Sequence, residues 1–94
     1  SKVKFPIKKG YNILFKSINV LPFAANVIVF DDQNNIDSTG FVSNNNRIFM
    51  SGIKGKGWIQ VKWGDEEQQQ CRFHYNIENE VKNTLFIKKE INCQ

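Results

Sequence analysis

From Trp58 to Trp63 the chain alternates without a break. Ile59, Val61 and Trp63 point one way; Trp58, Gln60 and Lys62 point the other. A period of two is the mark of a strand with one face in a core. The pattern recurs at roughly ten-residue intervals with turn-forming residues between, and this cadence restricts the chain to a sandwich or barrel. Strands are predicted over residues 1–9, 11–16, 25–30, 36–42, 47–51, 58–63 and 71–77. The first carries Val3, Phe5 and Ile7 among lysines, and Pro6, which lacks an N–H, demotes it to an edge. Polar or glycine-rich segments over 17–20, 31–35, 43–46, 52–57 and 64–70 read as turns. Residues 78–94 fit both helix and strand periods around Leu85-Phe86-Ile87, so a short helical turn or a strand is expected there. The expected fold is all-β: a small seven-stranded β-sandwich with Greek-key connections. Its expected core is Val3, Phe5, Ile13, Phe15, Leu21, Phe23, Val27, Val29, Ile48, Met50, Ile59, Val61, Trp63, Phe73 and Tyr75.

Between the second and third of these strands stands Leu21-Pro22-Phe23-Ala24-Ala25-Asn26-Val27. Pro22 fixes its own φ and removes a donor, so the segment suits a corner and not a sheet interior. Leu21 and Phe23 are expected to turn inward and fix it.

A chain of 94 residues suits one domain, over residues 1–94, with one modest core. Ser1 is not a start methionine and no leader is visible, which reads as a mature product or an excised fragment. No apolar run approaches the roughly 20 residues that a membrane-spanning helix needs. There are 13 Lys and Arg against 9 Asp and Glu, for a net charge of +4. Only Arg47 and Arg72 are arginines, and the lysines are scattered in small groups. No nucleic-acid surface is expected from so thin a distribution.

The residues for catalysis are largely missing. His74 stands three positions from Cys71, which on a strand puts the two on opposite faces. Glu66 and Glu67 sit in a solvated turn where nothing would split their pKa values as an acid–base pair requires. The glycines over 52–57 lack the lysine of a phosphate loop. The acidic turn at Asp31-Asp32 lacks the glycine and the glutamate of a calcium loop. No enzyme activity, cofactor or metal is expected. Two cysteines are too few for a structural zinc site. A Cys71–Cys93 disulfide is the better reading. It would close a loop of roughly 23 residues, contribute about 3 kcal/mol, and imply an oxidising compartment, extracellular or periplasmic.

Three segments together are more specific. They are the Leu-Pro-Phe segment, then Arg47-Ile48-Phe49-Met50-Ser51-Gly52-Ile53, then Val61-Lys62-Trp63-Gly64 followed by Cys71, Phe73 and Tyr75. In this order they resemble the C-terminal domain of outer-membrane ushers, and within that family the type that assembles capsule-like surface antigens. The family pattern runs PLPFGAxV, VYLSGL and VxWG, with one cysteine on the last strand and another near the chain end, where Cys93 stands. The chain departs from it at Val20, and at Ala24 where glycine is usual; Asn19 replaces another glycine and is expected to keep its tolerance for positive φ. The resemblance covers residues 11–77 and Cys93. It implies a periplasmic module of a larger outer-membrane protein, soluble in itself. That module would hold chaperone–subunit complexes while the incoming subunit's strand replaces the chaperone's. It would also touch other domains of the same usher. An immunoglobulin-like fibre subunit or adhesin domain is the alternative. The apolar residues expected to face away from the core, Ile28, Phe30, Phe41, Phe49 and Trp58, are the candidate partner-binding set.

Overall fold

A computed structural model describes residues 10–79 and 86–94. The strand predicted over 1–9, with Val3 and Phe5, lies outside the described residues. Seven strands are found among those described: β1 Tyr11–Ser17, β2 Asn26–Asp31, β3 Ile36–Phe41, β4 Arg47–Ile53, β5 Lys56–Lys62, β6 Gln70–Asn76 and β7 Ile87–Ile91. Six of them match predicted strands to within two residues at each end. The seventh, β7, is the strand alternative for the ambiguous tail. The expected glycine-rich link over 52–57 shrinks to Lys54 and Gly55, because β4 and β5 both run into it. Gly57 is there for a close approach: a Cβ at this position would strike the carbonyl of Phe30 on the neighbouring strand.

The strands form two sheets, ordered β4-β1-β7 and β3-β2-β5-β6. The β2–β3 hairpin leaves its sheet through β4, and the chain returns through β5 to lie against β2. This is the sheet-switching connection expected of a Greek-key sandwich. Within the first sheet β1 pairs antiparallel with β4 and parallel with β7.

Register follows the alternation. Ile13 sits opposite Met50 and Ile87, and Phe15 opposite Ile48, all facing inward. From the other sheet Val27 and Val61, Val29 and Ile59, and Ile59 and Phe73 face them as cross-strand pairs. The two layers meet at Phe15, whose ring packs edge-on against Phe73 at 5.3 Å and Tyr75 at 5.5 Å. Edge-to-face contact is the geometry that the ring quadrupoles favour. Tyr75 also donates its hydroxyl to the Lys54 carbonyl at 2.9 Å, and burial raises its pKa.

Two expected core residues are not in the core. Phe23 is 69% exposed, and Trp63 is 37% exposed. Trp63 follows the last residue of β5, so the alternation that should bury it has already ended. Phe23 sits in the corner that Pro22 enforces, where strand periodicity does not apply. Leu21 alone of that pair turns inward. Ala25, Val42, Ile53, Ile77 and Ile87 complete the core from strand ends and connections.

Candidate partner-binding surface

The outer face of β3-β2-β5-β6 is built in rows set by the register. Ile36, Phe30, Trp58 and His74 make one row, and Thr39, Ile28, Gln60 and Arg72 the next. Phe41, Asn26, Lys62 and Gln70 make the third. Phe30 and Trp58 stack with centroids 4.2 Å apart and planes 12° from parallel. Arg72 lies over Trp58 at 5.9 Å, a cation–π distance. The Trp58 indole N–H donates to Asn34 Oδ1 at 2.8 Å. These partners fix the Trp58 ring in place. It is half-buried, as are Ile28 and Phe30, whereas Phe41 is 65% exposed.

The third row leads to the corner. Backbone bonds between Ala24 and Val42, and between Val42 and Ala25, tie the corner to the end of β3. Here Pro22, Phe23 and Asn26 face Lys62, Trp63 and Asp65 across a shallow groove of about 600 Å³. Phe41, Phe23 and Trp63 thus bring three aromatic side chains to one end of the face. Sequence reasoning assigned the last two to the core; the proline beside Phe23, and Trp63's place at a strand end, were the signals against it.

Phe49 does not join this surface. It pairs with Leu14 on the outer face of β4-β1-β7, and its ring meets Phe86 edge-on at 6.2 Å. The five residues expected on a single outward face therefore divide. Ile28, Phe30, Phe41 and Trp58 share one side of the sandwich, and Phe49 lies on the other. Alternation says which residues face out, but not from which sheet.

Beside the Phe30–Trp58 stack, Asp31 fixes the polar turn. It is buried, and its carboxylate accepts from the backbone N–H groups of Gln33 and Asn35, both at 2.9 Å. Its second oxygen takes a bond from Lys54 Nζ at 3.0 Å. The Asn35 amide, then the Lys54 ammonium, hold the Asp31 carboxyl below its usual range, and Asp31 in turn raises Lys54. The carboxylate thus closes the turn and ties it to Lys54 in the β4–β5 link. Among the described residues no group of three or more His, Cys, Asp and Glu is placed to hold a metal. His74 and Cys71 do lie on opposite faces of β6, with Cys71 in a disulfide to Cys93 (Cα–Cα 5.4 Å).

Known proteins share both the sequence and the architecture. The family described as the PapC C-terminal domain matches residues 17–79, more than half of the chain. The chain belongs to this family of usher C-terminal domains. β7 and Cys93 lie beyond the matched segment. Among curated relatives, the probable outer membrane usher protein LpfC' of Escherichia coli O157:H7 is 29% identical over 98 residues, covering 99% of this chain and 20% of the relative. The outer membrane usher protein FimD of Escherichia coli K12 is 34% identical over 74 residues, covering 79% of this chain and 8% of the relative. The chain thus spans a fifth or less of these ushers. A solved structure, from work titled "Conserved hydrophobic clusters on the surface of the Caf1A usher C-terminal domain are important for F1 antigen assembly", superposes with a TM-score of 0.68. It is 21% identical, covers 87% of this chain and 94% of that one, and shows that the fold is shared. The relatives are outer-membrane proteins by name, and the parent protein of this domain belongs to the outer membrane and to the chaperone–usher pathway.

Proposed function

We propose that this domain is the periplasmic module with which an usher holds chaperone–subunit complexes while a pilus or capsule-like fibre is assembled and secreted. The docking surface is the outer face of β3-β2-β5-β6, from Ile28 and the Phe30–Trp58 stack to Phe41 and the Phe23–Trp63 groove. The observation that carries this reading is the open apolar end of the face, where Phe41 and Phe23 are each about two-thirds exposed. Exposed aromatics grouped on a small domain mark a site of association. For the structurally similar usher domain, surface hydrophobic clusters are described as important for antigen assembly, which supports the same use here. Other domains of the same usher are the second class of partner. Such holding needs no cofactor, because subunit folding and strand exchange supply the free energy.

The test is capture of purified chaperone–subunit complexes by the immobilised chain. Phe23→Ala with Phe41→Ala removes two largely exposed rings, neither of them a member of the buried core. At roughly 1–2 kcal/mol each, the pair should weaken capture by about 30-fold or more with the melting temperature unchanged. Phe49→Ala, on the opposite side, should capture like the parent chain. Undiminished capture by the double variant would sink this surface.

A further inference from the structure

The outer face of β4-β1-β7 carries a second apolar patch with different chemistry around it. Leu14, Phe49 and Phe86 make its apolar centre, with Phe49 54% exposed. Lys16, Arg47, Lys88 and Lys89 line the shallow depression of about 680 Å³ around Leu14 and Phe86, and Glu90 is its single acid. Lys88 Nζ lies 5.8 Å over the Phe86 ring. Lys89 shares the side of Phe15 by register, so the outward charges are Lys16, Arg47 and Lys88 against Glu90, an excess of about two. The opposite sheet carries a smaller surplus around its aromatics: Lys62 and Asp65 line the same groove, Lys56 pairs with Asp32 at 3.5 Å, and Arg72 over Trp58 is the remaining cation.

We infer that this face docks on the acidic headgroups of a phospholipid leaflet. Aromatic rings at the centre and cations on long stems at the rim are the arrangement of interfacial membrane binders. The rings enter the headgroup boundary while the lysines reach phosphates beside it. Residence of the parent protein in the outer membrane keeps a leaflet within constant reach, so weak intrinsic attraction suffices. Docked this way, the domain would turn its Phe23–Phe41 side away from the membrane.

Flotation of the 94-residue chain with vesicles tests the inference. The probes are phosphatidylcholine vesicles with about 30% phosphatidylglycerol, and pure phosphatidylcholine vesicles. Binding is expected on the acidic vesicles at about 0.05 M salt, with loss at about 0.5 M and little on the neutral ones. Lys16→Glu with Lys88→Glu, and separately Phe49→Ala with Phe86→Ala, should each cut the bound fraction about five-fold or more, with circular dichroism unchanged. Phe23→Ala with Phe41→Ala should float like the parent, so this result and the capture experiment fail independently. The inference is overturned by absent flotation on acidic vesicles, or by flotation that ignores the Lys16 and Lys88 reversals. It is equally overturned if those reversals weaken chaperone–subunit capture, which would mark the face as a protein-docking one.

Discussion

Ala24 occupies left-handed backbone, with φ of 67°, at the position where the usher pattern has glycine. Its amide donates to Val42 at 2.8 Å and its side chain is exposed, so the corner needs the backbone shape and not the methyl. An L-residue there costs about 1–2 kcal/mol, and glycine's extra unfolded-state entropy costs roughly 0.5–1 kcal/mol. Ala24→Gly should therefore stabilise the chain by about 0.5–1 kcal/mol, read as a higher urea midpoint at constant slope. An unchanged or lower midpoint would mean the corner is not strained. Asp31 predicts a pH effect. Its folded pKa is depressed, so its contribution is present above the unfolded value near about pH 4 and is lost as pH falls through the folded one. Asp31→Asn should be less stable at neutral pH but lose less on acidification; parallel acid limbs for the two proteins would contradict this. Asn19 shows what residue-type reasoning could miss. Tolerance for positive φ was its expected use, yet it is not among the positive-φ residues. Instead its side-chain amide clamps Cys93, donating to the carbonyl at 2.7 Å and accepting from the N–H at 3.0 Å. A contact 74 positions away leaves no trace in local pattern.

At the scale of elements, strand-by-strand reading succeeded wherever one face of a strand is core and the other is wet. It stalled at β7 because Leu85-Phe86-Ile87 is a short apolar run, which fits either period. Nor could any pattern reveal that β7 lies parallel to β1, since strand pairing depends on chain return and not on composition. What fixes the end of β7 is its tail. Ile18 donates to the Ile91 carbonyl at 2.8 Å, Asn19 clamps Cys93, and Arg72 and Gln94 exchange backbone bonds of 2.9 and 3.1 Å along β6. The Cys71–Cys93 disulfide joins the same crossing from one sheet to the other. With 22 residues of separation, its loss through paired Cys→Ala substitutions should cost about 3 kcal/mol. Hydrogen exchange should then show β7 amides losing protection before those of β2 and β5, which lie between other strands of their sheet. Uniform loss across all strands would show that the staple stabilises the whole fold and not this element.

For the whole molecule, the sequence told inside from outside except at Phe23 and Trp63, but did not apportion the outside between two faces. That division needs the sheet order, and it separates the Phe41 and Phe23 surface from the Phe49 and Phe86 surface. It also bears on the choice between an usher module and a fibre subunit. A subunit that waits for a donor strand lacks one, leaves part of its core open, and is unstable alone. Here Phe15, Ile13, Ile48, Ile59, Val29 and Val61 are fully buried by strands of this chain itself, and the tail closes over β6. Family membership agrees with the usher module. The chain alone should therefore melt in one cooperative step, with calorimetric and van't Hoff enthalpies equal and a midpoint unchanged over about a tenfold range of protein concentration. Added peptides with the alternating sequence of a donor strand should not raise that midpoint, because the strands of the described residues already close the core. A large upward shift with such a peptide, or melting only after oligomerisation, would return the chain to the fibre-subunit class.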